Sequence, residues 1–283
     1  MSWSARVVMQ RVVKRAAAAV DVVRRPPRGV VVLLYHRVGR RSELEVDLPT
    51  GLFAEQLECL AASGRVATLD TCLDALTRPG LPDPTSDADD DRDDLIAITF
   101  DDGTADFVEV ALPLLERHRL PVTLYLATGF VEERRPFPGD ATPLSWAALR
   151  DAGSTGLLTV GSHTHSHALL DRLPPAEVAS ELDRSRALIE THLGHAPAHF
   201  AYPKAVRGSG DAEAAVRARF RSAALAGTRP NPYGGTDPYR LARSPIQLGD
   251  GMTWFRRKLD GGMGLEDSLR SLANRRRYAG ATT

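Results

Sequence analysis

The sequence predicts a parallel α/β barrel or sheet folded as one domain. Three observations carry this expectation. Strand-like and helix-like segments alternate along most of the chain. The strand-like runs are continuously apolar, as strands buried on both faces are. Several of them end on polar residues, at the place where parallel α/β folds gather their sites. With 283 residues, 43% hydrophobic and 25% charged, the chain also has the apolar material for one sizeable core.

Residues 1–28 are set apart as a basic amphipathic helix or tail. Val8, Val12, Ala16, Ala19 and Val23 recur at helical spacing, with Arg11, Lys14, Arg15 and Arg25 between them. Those cations interrupt the apolar core that a secretion signal needs, and no stretch reaches the length of a membrane-spanning helix. The expectation is a cytoplasmic or membrane-peripheral chain whose first helix can touch an anionic membrane surface. Net charge is zero, so no global field favours nucleic acid, and no nucleic-acid partner is expected. Cys59 and Cys72 have no zinc-motif spacing and read as buried free thiols. Only Lys14, Lys204 and Lys258 among the 36 basic residues are lysines; the arginine excess reads as coding bias, and single arginines are given little weight.

The proposed domain spans 29–262, with 263–283 as a basic tail around Arg275, Arg276 and Arg277. Pro26 and Pro27 stop the first helix, and 29–36 is a buried strand closing on His36. Phe53, Leu57 and Leu60 mark the inner face of a helix; 65–69 reads as a short strand and 71–76 as another helical stretch. Residues 81–94, with two prolines and seven aspartates, read as a solvated loop without calcium-loop spacing. A buried strand, 95–100, follows. Ala111, Leu114 and Leu115 suggest a helix ending before Pro121, 122–127 a strand, and Ser145 the cap of a helix carrying Trp146 and Leu149. A strand over 157–160 leads to a histidine cluster. Pro174 and Pro175 open a long helix with Val178, Leu182, Leu188 and Ile189 inward. A strand at 199–202, a helix at 211–220, a strand at 222–226 and a segment at 239–248 complete the alternation.

Chemistry concentrates at two strand ends. The strand at 95–100 stops on adjacent carboxylates, Asp101 and Asp102, and Gly103 permits a tight turn that splays them around one pocket. One could then bind a metal while the other moves protons. Downstream, His163, His165 and His167 lie at i, i+2 and i+4. An extended backbone points all three one way, a helical turn only His163 and His167. Two imidazoles and one carboxylate make a three-ligand set that leaves a metal position open to water.

Together, Thr99-Phe100-Asp101-Asp102-Gly103 and His163-Thr164-His165-Ser166-His167 resemble the first two motifs of the polysaccharide deacetylases, carbohydrate esterase family 4, the NodB-type homology domain. Phe200-Ala201-Tyr202-Pro203 is similar to the third motif, and Leu34-Tyr35-His36-Arg37-Val38 and Tyr239-Arg240-Leu241-Ala242-Arg243 to flanking segments of one branch. The resemblance covers about residues 30–260 and implies an irregular (β/α) barrel. It also implies that Asp101 is the catalytic base and that Asp102, His163 and His167 bind a divalent metal such as zinc. The implied substrate contact is at Tyr202 and Pro203, with a backbone N–H at or near Tyr202 stabilising the oxyanion.

Three departures from the family pattern stand out. Ala198 and His199 occupy the place of the arginine that holds the base Asp, Lys204 and Ala205 that of a glycine, and no histidine follows His199 to serve as general acid. His36 is then the candidate acid, since strand ends of a parallel barrel converge on one mouth; a structural hydrogen bond to a neighbouring loop is the alternative. The expected function is metal-dependent removal of N-acetyl groups from a polymeric or lipid-linked amino sugar, an acetylated glycan or glycolipid. The alternatives are hydrolysis of a small non-peptide amide and a catalytically silent carbohydrate-binding domain.

Overall fold

The computed structural model describes residues 14–18, 26–78 and 94–266. Ten strands are present among them: β1 (Gly29–Tyr35), β2 (Arg37–Val38), β3 (Asp47–Leu48), β4 (Ile96–Phe100), β5 (Val122–Leu126), β6 (Leu158–Ser162), β7 (His199–Ala201), β8 (Ser222–Ala224), β9 (Asn231–Pro232) and β10 (Arg243–Pro245). Seven run parallel in the order β10-β1-β4-β5-β6-β7-β8 and curl into an α/β barrel, while β9 pairs antiparallel with β1. A parallel bridge between Ala224 and Leu241 joins the two ends of the series. Backbone bonds from Leu225 N to Leu241 O and from Gly227 N to Arg243 O extend that seam. The expected single-domain (β/α) barrel is thus what the chain forms.

Alternation along each strand feeds two cores. Leu33, Tyr35, Ile98, Phe100, Leu124 and Leu126 face outward and pack with Phe53, Leu57 and Leu60 of the helix Thr50–Ser63. Val30, Val32, Ala97, Tyr125, Ala201 and Ala224 form the second cluster, with Leu69, Leu73 and Leu76 of the helix Leu69–Thr77 packed against it. Three alanines in that cluster leave room for larger groups, the Tyr125 ring among them. Gly161 serves the same ring: a Cβ there would lie 2.7 Å from Tyr125.

Most elements fall where the apolar pattern places them, with local shifts. The strand expected at 65–69 shrinks to one bridge, Val66 to Ile96, because the Thr68 hydroxyl accepts from Thr71 N and draws Leu69 into a helix. Ser145 caps Trp146–Gly153 by accepting from Ala148 N. In Pro175–Leu193 the buried positions are Val178, Leu182, Ser185 and Ile189, with Leu188 half-buried. Cys59 and Cys72 are free thiols; Cys72 is buried, which pushes its thiol up to about 12, and Cys59 is partly exposed.

At 14–18 the expected faces are exchanged: Lys14 is buried and Ala16 exposed. Lys14 pairs with the buried carboxylate of Asp250 and, at 2.9 Å, with Glu266, while Lys258 holds the same Asp250 at 2.8 Å. Close packing runs past 262, since Met263 is also buried. The remainder of the N-terminal helix expectation, the solvated loop up to residue 93 and the arginines at 275–277 lie outside the described residues. Among the described residues no helix is long and apolar enough to cross a membrane.

Candidate metal centre

The C-terminal ends of the parallel strands surround a cavity of about 370 Å³, lined among others by His36, Asp101, Asp102, His163, His167 and Arg243. Strand register explains the convergence. Tyr35 pairs with Phe100, so His36 and Asp101 are the next residues on neighbouring strands, and Asp101 N still donates to Tyr35 O. Asp102 then takes a left-handed conformation (φ 74°) followed by Gly103 (φ 98°), which turns the second carboxylate back toward the cavity.

Three donor atoms meet there. Asp102 Oδ1 lies 3.7 Å from His163 Nε2 and 3.5 Å from His167 Nε2, and the three atoms fall within 4.8 Å of one another. His163 Nδ1 sits 2.8 Å from the carbonyl of Ala201; a carbonyl only accepts, so Nδ1 carries the proton and Nε2 keeps its lone pair for a ligand. Burial, then the neighbouring His163, pushes the His167 imidazole down to about 4, which keeps it neutral. This nitrogen and oxygen donor set fits a divalent cation of the zinc type.

His165 stands apart. Its Nδ1 lies 3.1 Å from Thr128 Oγ1, and it does not line the cavity. The backbone is neither extended nor helical here: Thr164 (φ 64°) and His167 (φ 66°) are both left-handed, and this is how the outer pair converges while the middle ring turns away.

The orientation of Asp101 comes from Arg243, the last residue of the flanking segment 239–243, for which no role was expected. Arg243, wholly buried on β10, donates from Nη1 to Asp101 Oδ1 at 2.5 Å and from Nη2 to Oδ2 at 2.8 Å. Arg243 Nε donates to Leu225 O, its Nη1 also reaches Thr99 Oγ1, and the guanidinium lies 5.0 Å from the Tyr125 ring centroid. Burial would raise the Asp101 carboxyl, but Arg243, and after it His163, outweighs burial and holds it down at about 2. Oδ2 also faces His163 Nε2 at 3.7 Å, so the carboxylate borders the donor cluster.

Tyr202 and Pro203 do not line the cavity. Tyr202 N already donates to Ala224 O in the β7–β8 ladder, its side chain is buried among Phe200, Phe220 and Val216, and Pro203 has no N–H. The residues of this segment that line the cavity are Lys204 and Ala205. His36 does line it, and its buried Nδ1 has no hydrogen-bond partner among the described residues.

Residues 88–222 match the family described as polysaccharide deacetylase. Over that span, a little under half of its length, the chain resembles the polysaccharide deacetylases. The matched span includes Asp101, Asp102, His163 and His167 but neither His36 nor Arg243. The match supports a deacetylase. Among solved structures, the chain resembles IcaB from Ammonifex degensii at 26% identity, with a TM-score of 0.69 over 82% of this chain and 98% of that one. It shares its fold with the Streptococcus pyogenes deacetylase PplD (20% identity, TM-score 0.68, 82% and 98% covered). It does so as well with a de-N-acetylase from Aggregatibacter actinomycetemcomitans (18%, TM-score 0.65, 81% and 99% covered). No curated protein shows a significant match to the chain.

Proposed function

We propose that this deacetylase removes N-acetyl groups from a polymeric or lipid-linked amino sugar, using a divalent metal, zinc, held by Asp102, His163 and His167. The observation that carries the reading is the meeting of those three donor atoms beside a separately anchored carboxylate, Asp101. When bound, the cation supplies Lewis acidity, acidifying a coordinated water and polarising the acetyl carbonyl.

The chain's own residues divide the remaining work. Asp101, ionised and held by Arg243, accepts the proton of the attacking water at Oδ2, the oxygen that faces the donor cluster. Lys204 lines the same cavity and brings a positive charge to it, of the kind that stabilises a developing oxyanion. His36, on the opposite strand end from His163, donates a proton to the leaving amine nitrogen, so that acetate and a free amine depart.

Arg243 weighs against a silent binding domain, because it restores the grip on the base that the third motif lacks. The test is acetate release from acetylated amino-sugar oligomers alongside small non-peptide amides of the same amine. Turnover of the oligomers at higher kcat/KM supports the glycan reading; faster turnover of the small amides replaces it.

A further inference from the structure

The segment between the two histidine ligands is held from outside the cavity by one carboxylate. Glu181, in the middle of the helix Pro175–Leu193, accepts from His165 N at 3.0 Å and from Ser166 N at 2.8 Å through the same oxygen. Its other oxygen accepts from Ser166 Oγ at 2.8 Å. On the opposite side Gly129 N donates to His165 O at 2.7 Å, so the segment is fastened between two elements. The fastening spans the two left-handed residues, Thr164 and His167, a backbone form that β-branched and bulky side chains avoid. A short loop with two such residues relaxes unless its surroundings hold it, and relaxation would swing His167 away from His163.

Resting on the metal site proposed above, we infer that Glu181 is a positioning residue for the metal. It touches neither ligand ring; it fixes the backbone from which His167 projects. Its three bonds are made to the two residues immediately before His167, so their loss acts on the ligand pair and leaves the barrel strands in place. Outer partners that orient ligands in this way carry about 10–100-fold of metal affinity.

The experiment is chelator competition with zinc on the full chain, together with thermal unfolding of the metal-free proteins. Glu181→Ala is expected to weaken zinc binding by about 10–100-fold. Glu181→Gln is the rescue, because its amide oxygen can still accept both backbone N–H groups while its NH2 faces Ser166 Oγ; affinity within about threefold of wild type is expected. A merely structural Glu181 would lower the unfolding temperature of the metal-free Ala variant and leave zinc affinity unchanged, which would overturn the inference. If Glu181→Ala fails to fold, Ser166→Ala, which removes one bond to Glu181 Oε1, serves instead; unchanged affinity there overturns it equally. Wild-type protein that binds no zinc defeats the metal site itself, and Glu181's role with it. Zinc held equally by wild type and Glu181→Ala defeats only the latter.

Discussion

Arg243 grips both carboxylate oxygens of Asp101 across 142 residues of sequence, with both side chains buried. The pair keeps Asp101 ionised at rest, at the edge of the Asp102, His163 and His167 cluster. Replacing one partner leaves a buried charge alone, at a cost of about 3–5 kcal/mol. Arg243→Met is therefore expected to destabilise the metal-free protein by about that amount at neutral pH and to abolish turnover. The sign with pH follows from the lowered Asp101 value. In the wild type its contribution is present above the ordinary value of 3.8 and is lost as pH falls through about 2. In Arg243→Met, burial raises the carboxyl, so stability should fall as pH rises through the raised value. Urea unfolding of both metal-free proteins between acid and neutral pH checks this; parallel curves would contradict it.

Metal retention should separate the three histidines. His163→Ala and His167→Ala remove donor atoms and should strip the metal, as should Asp102→Ala. His165→Ala should leave most of it, since that ring bonds Thr128 instead. Equal loss in all three histidine variants, measured by metal content after dialysis, would mean that His165 also ligates.

Asp101 should govern turnover more than metal content. Asp101→Asn keeps the shape and removes the basicity, so at least about a hundredfold loss of kcat is expected with the metal retained. Activity within a few-fold of wild type would reject Asp101 as the base.

His36 is expected to act on the leaving group. His36→Gln should preserve the fold and the metal and slow amides far more than activated esters, whose leaving groups need no proton. Equal slowing of both substrate types would make His36 a residue that positions structure or substrate.

The barrel and the cluster of Asp102, His163 and His167 could be read from the sequence because their signals are local. Buried parallel strands such as 29–35 and 96–100 are continuously apolar, and the residues that follow them must point at the mouth. Arg243 stood out only as the end of the flanking segment 239–243; its grip on Asp101 could not be read, because the two residues lie on distant strands. The choice among His163, His165 and His167 depended on left-handed residues that composition does not announce; Thr164 is an unexpected residue to find there. That the Tyr202 amide is bonded to Ala224 O could not be read for a tertiary reason: it takes part in the β7–β8 pairing.

Zinc content and acetate release, measured together on one purified preparation, test the proposed chemistry most directly. The expected result is about one zinc per chain, acetate release from acetylated amino-sugar oligomers, loss of release on chelation and its return when zinc is restored. Acetate release from protein stripped of metal would contradict it.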